Sequence, residues 1–92
     1  MIDNTARIKE IRNRLEKAFT PESLDIEDES HKHAGHAGAK SGKGHFIVSI
    51  VSDKFSGKTL IQRHRMVYEA LGDYMDTDIH ALSITAYTPE EI

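Results

Sequence analysis

The eight residues HFIVSIVS, at positions 45–52, are apolar on both faces of an extended chain. This pattern is typical of a strand at the centre of a sheet. Residues 23–27 alternate apolar and polar side chains, which predicts a short, half-buried strand at a sheet edge. Residues 81–87 alternate in the same way. The sequence therefore predicts three strands, with the strand at 45–52 in the middle.

Apolar side chains recur at helical spacing before the first strand and again between the second and the third. The first stripe predicts a helix that begins near Asn4 or Thr5 and ends at Thr20, because a residue before proline avoids the helical region. The second stripe predicts a helix that Gly72 weakens or ends. The stripes consist of Ile8, Ile11, Leu15 and Phe19, and of Leu60, His64, Val67, Leu71 and Tyr74 or Met75.

The predicted order is α-β-β-α-β, with a final helix beginning at Thr88-Pro89. The first two strands pair antiparallel across a flexible loop at 30–44 that is rich in histidine and glycine. The second helix crosses over to a third strand parallel to the second, with a right-handed connection. This predicts an α/β fold of the α+β type, in which a three-stranded mixed sheet carries its helices on one face. The length of the chain predicts a single domain over residues 1–92.

Composition restricts the possible functions. The chain has no cysteine, so any metal must be held by His, Asp or Glu, or shared with a partner that supplies sulfur. The 12 basic and 15 acidic residues give a net charge of −3, which argues against strong non-specific binding to nucleic acid. No apolar run reaches the roughly 20 residues that span a bilayer, and the N-terminus lacks a signal sequence. We expect a cytoplasmic protein without a membrane partner.

Histidines are the main candidates for metal chemistry. His31, His33 and His36 fall within six residues of the loop, where imidazoles can turn toward one metal ion. A solvated loop without a ligand is the equally supported alternative. His64 lies on the apolar stripe of the second helix, which favours a hydrogen-bonded core residue over a ligand. His80 lies where a turn enters the third strand, and its position supports a functional site and a capping role equally.

A basic cluster lies near the start of the second helix, around His64. It suits contact with an acidic partner, with the glutathione of a partner, or with phosphate, whereas the polar face of an amphipathic helix is the simpler interpretation. Its members are Lys54, Lys58, Arg63 and Arg65. The sequence has no recognisable catalytic set and no glycine-rich phosphate loop, so we do not expect an enzyme. A Gly-x-x-Gly clamp for nucleic acid is also missing from the helical region.

The stretch VSDKFSGKTLIQRHRMVY at 51–68 resembles the signature of BolA-like proteins, in which a Phe-x-Gly turn precedes Arg-His-Arg-x-Val on a helix. Residues 80–82 (HAL) are similar to the segment around the near-invariant histidine of that family. Residues 88–91 (TPEE) match its usual ending. The similarity reaches back through 45–46 and 28–30, so it covers nearly the whole chain, and it is weakest in the first helix.

This resemblance implies a class II KH-like fold, which agrees with the order derived above. It also implies a non-catalytic partner of a monothiol glutaredoxin of the Cys-Gly-Phe-Ser type, sharing a bridging [2Fe–2S] cluster for iron–sulfur cluster assembly, transfer or iron sensing. The glutaredoxin cysteine and glutathione would hold one side of the cluster. By position, the invariant ligand falls on His80 and the second on His33, with His31 and His36 as close rivals. The isolated protein is expected to be a monomer without a cofactor.

Two other interpretations remain open. The chain resembles a family that includes transcriptional regulators, so a DNA-binding regulator is the main alternative. In that case the basic cluster and His64 would supply a local contact, although a packing or interface role fits His64 as well. The third interpretation is a small metal-binding or storage module that uses the loop histidines alone.

Overall fold

The computed structural model of the chain describes residues 4–29 and 44–92. The predicted order α-β-β-α-β is present, with one additional short helix before the third strand and a single 3₁₀ turn where the final helix was predicted. The elements are α1 (Asn4–Phe19), β1 (Ser23–Asp28), β2 (Gly44–Val51), a 3₁₀ turn (Asp53–Phe55), α2 (Leu60–Leu71), α3 (Tyr74–Thr77), β3 (Ile79–Tyr87) and a second 3₁₀ turn (Pro89–Glu91).

The three strands form one mixed sheet in the order β1-β2-β3. β1 pairs antiparallel with β2, and Leu24 lies opposite Ile50. β2 pairs parallel with β3, and Phe46 lies opposite Leu82. The apolar stretch at 45–52 therefore supplies the central strand, and the predicted mixed sheet is confirmed.

The core lies between the helices and one face of this sheet. The inward residues of β2 are almost completely buried, and so are three residues of the α1 stripe and two of the α2 stripe. Burying one such side chain contributes about 1.5–3 kcal/mol, which holds both helices on the same face. The buried set comprises Phe46, Val48 and Ile50 from β2, Ile11, Leu15 and Phe19 from α1, and Val67 and Leu71 from α2. The opposite face carries exposed polar side chains such as Ser83 and Thr85.

The α1 helix ends as predicted, immediately before Thr20-Pro21. Thr20 leaves the helix through the left-handed region, with φ of 44°. The carbonyl of Phe19 accepts a hydrogen bond from the buried Ser52 hydroxyl at 2.8 Å, which ties the last turn of α1 to the chain just after β2. Among the helices that the structure describes, none has the length and apolar character needed to cross a membrane.

The predicted apolar stripe of α2 is wrong at its first turn. Leu60 is 65% exposed, whereas Arg63 is only 6% exposed and shares the inner face with Val67 and Leu71. Arg63 can lie there because its guanidinium finds partners inside the fold, as described below. Gly72 ends the helix with φ of 56°, a conformation that glycine adopts readily.

The described residues on either side of the predicted loop, Glu29 and Gly44, lie at the same end of the sheet. β2 begins at Gly44, one residue before the predicted strand, and a Cβ atom added at Gly44 would overlap the buried Phe46 ring. Gly44, predicted as the last residue of the loop at 30–44, is therefore the first residue of β2. The other residues of the predicted loop, including His31, His33 and His36, lie outside the described part of the chain.

Candidate metal centre

A register shift between β2 and β3 sets the position of His80. Gly44 lies opposite Ile79, but the next residue, His45, lies opposite Ala81, so His80 is an extra residue in β3. Bulges of this kind turn a side chain away from the regular alternation and are frequent beside functional sites. As a result His80 is exposed near the start of β3, close to the face of the sheet that the helices leave open.

His45 lies beside His80. The centroids of the two imidazole rings are 4.9 Å apart and their planes are inclined by 46°. His45 is half-buried, and His80 is exposed. The apolar pattern at 45–52 predicted only that His45 begins a strand. Parallel strands begin at the same end of a sheet. His45 and His80 were both predicted near the start of such strands, so their proximity could have been inferred from the sequence.

Polar contacts brace this end of the sheet, which we call the histidine end (Glu29, Gly44, His45, Asp78 and His80). Arg7 Nε donates to the Asp78 carboxylate at 3.0 Å, and the Gly44 amide donates to the Asp78 carbonyl at 2.9 Å. The hydrogen bond from Arg7 is the main cause that lowers the pKa of Asp78 below its usual value. These contacts fix the chain two residues before His80.

Both flanks of the histidine loop also meet here. The Glu29 amide donates to the His45 carbonyl at 2.8 Å, so the chain leaves β1 and returns to β2 at the histidine end. A cavity of ≈ 230 Å³ adjoins the two flanks and is lined by Glu29, His45, Phe46, Ile47, Ala81 and Ser83. Within residues 4–29 and 44–92, no group of three or more His, Cys, Asp or Glu side chains could hold a metal ion.

The predicted basic cluster lies at the opposite end of the sheet, which we call the basic end (Lys54, Lys58, Arg63 and Arg65). The eight residues of β2 separate the two ends by about 23 Å at the usual rise of a strand. Lys54, Lys58 and Arg65 are exposed, and His64 is half-buried. The structure therefore does not bring the basic cluster together with His80.

Arg63 is the exception within the cluster. Its guanidinium donates to the Glu91 carboxylate at 2.7 Å and to the Ala86 carbonyl at 3.0 Å, and its Nε donates to the Lys58 carbonyl at 3.0 Å. The hydrogen bond from Arg63 is the main cause that lowers the pKa of Glu91 to about 2. Arg63, predicted as a contact residue for a partner or nucleic acid, is therefore buried and held by internal partners, and the contact itself stays a prediction.

The start of α2 combines positive charge with exposed apolar side chains. Thr59 and Gln62 begin the helix with a reciprocal capping box, in which each side chain accepts a hydrogen bond from the other's backbone amide. Leu60 and Ile61, on the first turn, are 65% and 66% exposed. A cavity of ≈ 220 Å³ lies on this helix and is lined by Lys58, Gln62, Arg65, Met66 and Glu69.

Residues 15–91 match the sequence model of a family described as BolA-like protein. The matched segment holds both ends of the sheet, including His45, His80 and the basic cluster.

Three curated proteins illustrate the similarity. The chain is 47% identical to the SufE-like protein 1 of Arabidopsis thaliana over 89% of its own length and 24% of that protein. It is 48% identical to Protein BOLA1 of the same plant, over 92% of this chain and 55% of that protein. The DNA-binding transcriptional regulator BolA of Escherichia coli is 42% identical, over 88% of this chain and 74% of the regulator. The chain thus spans about a quarter of the first protein and about half of the second.

The fold is similar to that of a solved domain. The BolA domain of SufE1 from Arabidopsis thaliana superposes with a TM-score of 0.84 at 47% identity. The superposition covers 95% of this chain and 96% of that domain.

Proposed function

The chain belongs to the BolA-like family, and on that premise we propose that it is a non-catalytic partner of a monothiol glutaredoxin that helps to ligate a bridging [2Fe–2S] cluster through histidine. One observation carries the proposal: the bulge exposes His80 beside His45, at the end of the sheet where the histidine loop leaves and returns. The role of the pair would be cluster assembly, transfer or iron sensing. A cytoplasmic location stays a prediction.

The donors of this chain fit such a cluster. Imidazole nitrogen is a ligand for iron, and histidine replaces cysteine on one iron of Rieske-type [2Fe–2S] centres. The chain has no cysteine, so it offers imidazole nitrogen in place of thiolate. In the proposal, the cysteine of the glutaredoxin and glutathione hold the other side of the cluster.

His80 is the first proposed ligand, and the second comes from the loop. The family resemblance favours His33, with His31 and His36 as rivals. Glu29 is bonded beside His45, and the four residues from Glu29 to His33 can extend at most about 14 Å. All three loop histidines are therefore within reach of the histidine end, and chain length does not choose between them.

The other residues of the histidine end have positioning roles. His45 lies beside the His80 ring and would help to orient it. The Arg7–Asp78 pair fixes the entry into β3, so that the bulge keeps its shape. With two nitrogen ligands on one iron, the cluster would have a higher reduction potential than one held by four thiolates.

A titration tests this proposal. The chain is mixed with a cluster-loaded monothiol glutaredoxin, and visible absorption and circular dichroism are recorded for the wild type, His80→Ala and His33→Ala. His64→Ala, on α2, is the matched control, because it removes a half-buried imidazole far from the histidine end. We expect a new cluster spectrum that His80→Ala abolishes and His64→Ala retains. No spectral change and no complex with the wild type would refute the proposal.

DNA binding is the second candidate function, favoured by the exposed Lys54, Lys58 and Arg65 and by the E. coli relative that is named a DNA-binding regulator. If these side chains contact phosphate, Arg65→Gln should reduce the slope of log affinity against log salt by about 1. Affinity for a DNA duplex that shows no steep salt dependence and no sequence preference would exclude this function.

A further inference from the structure

The two edge strands of the sheet differ in their protection. β1 (SLDIED) carries three acidic side chains, and charge on an edge strand prevents unwanted pairing with another strand. β3 (IHALSITAY) has nine residues with no Asp, Glu, Lys, Arg or Pro, and several of them are β-branched or aromatic residues that favour strands. In the described part of the chain, β3 pairs only with β2, so its other edge is open.

The free backbone groups of β3 can be assigned. The Tyr87 carbonyl accepts from the Ser52 amide, so odd-numbered residues after the bulge direct their backbone groups toward β2. Leu82, Ile84 and Ala86 therefore direct theirs to the open edge. The Ala86 carbonyl is already taken by Arg63 at 3.0 Å. Between the bulge at His80 and this occupied carbonyl, Leu82 and Ile84 offer two amides and two carbonyls.

From this pattern we propose that β3 pairs with β3 of a second copy of this chain, antiparallel and around a two-fold axis at Ser83. In that register Leu82 lies opposite Ile84 of the second copy, and the two pairs make four hydrogen bonds. A shift of the register by one hydrogen-bonded pair in one direction would require the backbone of the bulged His80. A shift in the other direction would require the Ala86 carbonyl, which already accepts from Arg63. The pairing is independent of the proposed cluster ligation.

The side chains favour β3 over β1 as the edge that pairs between two copies. Leu82 and Ile84 are only partly buried, and pairing would place them against each other on the helix-covered face. Two β1 edges would instead bring Asp25 and Glu27 of each copy together, and like charges directly opposite are destabilising. A pairing of β1 with β3 would set these carboxylates beside an uncharged strand.

Such a dimer is weak. Four hydrogen bonds are fewer than the about ten of a typical protein interface, so we expect a dissociation constant on the order of 1 mM. At micromolar concentration the protein is then a monomer, as expected for the isolated chain. Because the strands run antiparallel, the two histidine ends lie at opposite ends of the joined sheet, and each copy can meet its own partner.

The absence of cysteine allows a clean test with single-cysteine variants. In the proposed register, the Cα atoms of the two Ser83 residues are about 4.5 Å apart, which a disulfide can bridge, whereas those of the two Thr85 residues are about 14 Å apart, which it cannot. Both side chains are exposed, so Thr85→Cys is a matched control for Ser83→Cys. We expect Ser83→Cys to form a disulfide-linked dimer at least about tenfold faster than Thr85→Cys at millimolar concentration.

Sedimentation equilibrium of the wild type provides the second measurement. We expect the apparent mass to rise with concentration, Ser83→Lys to remove this rise, and Ser23→Lys on the β1 edge to leave it intact. A wild type that is monomeric up to about 1 mM, or equal crosslinking of Ser83→Cys and Thr85→Cys, would overturn the proposal. An extended segment of another protein would then be the remaining occupant of this edge.

Discussion

The histidine end and the basic end of the sheet each contain a residue that the sequence predicts to be functional. His80, at the histidine end, is exposed, whereas Arg63, at the basic end, is buried. At the histidine end, a bulge exposes His80 on the open side of the sheet. At the basic end, Arg63 is 6% exposed and is held by Glu91 and two backbone carbonyls. Residue type and spacing identify both positions. The internal partners of a side chain decide whether it remains available to another molecule.

Acidification should produce the largest difference between the two ends. Imidazole binds a metal only when it is neutral, and free histidine titrates near pH 6.5. We predict that the complex with glutaredoxin loses its cluster spectrum below about pH 6, while the far-ultraviolet circular dichroism of the chain is unchanged. A cluster spectrum that persists to about pH 5 would argue against histidine ligation and remove this distinction between the ends.

Substitutions of Arg63 and Arg65, both at the basic end, should differ in their effect on the stability of the fold. Arg63→Gln removes the donors of the Ala86 carbonyl and the Glu91 carboxylate, so we predict that it lowers the thermal midpoint by several degrees. Arg65→Gln changes an exposed side chain and serves as the control, because it should leave the midpoint unchanged. Equal midpoints for the two variants would show that Arg63 does not stabilise the fold.

A smaller effect on the stability of the fold should come from Glu91, and it should depend on pH. The pKa of Glu91 is lowered from 4.5 to about 2 in the folded chain, so its ion pair stabilises the fold fully above pH 4.5 and loses this contribution between pH 4.5 and about 2. We predict that Glu91→Gln lowers the unfolding midpoint at pH 7 and that the difference from the wild type disappears toward pH 2. A difference that stays constant over this range would contradict the ionic role of Glu91.

Most of the fold follows from local patterns. The apolar run at 45–52 identified the central strand, and the α1 stripe identified a buried helix face, because hydrophobic burial dominates both. The α2 stripe failed at Leu60. A sequence pattern assumes that apolar residues turn inward, whereas here the paired guanidinium of Arg63 occupies the inner position. Its partner Glu91 is 28 residues away, and single-sequence patterns do not report such pairs.

Less of the candidate site could be predicted. His80 was singled out by position and by family resemblance, but the bulge that exposes it depends on the pairing of two strands and has no local sequence signal. The proximity of His45 to His80 could have been predicted, because the two residues lie near the starts of parallel strands. The Arg7–Asp78 pair joins residues 71 positions apart, so only the folded chain reveals that α1 braces this end.

Nitrogen ligation from this chain is the central claim, and pulsed electron paramagnetic resonance tests it most directly. The chain would be labelled with ¹⁵N only at histidine, combined with unlabelled, cluster-loaded glutaredoxin, and the cluster reduced by one electron. The account predicts strong nitrogen couplings that change with the label, and none of them in His80→Ala, which does not form the shared cluster. A spectrum of the reduced complex that is the same with and without the label would contradict histidine ligation by this protein.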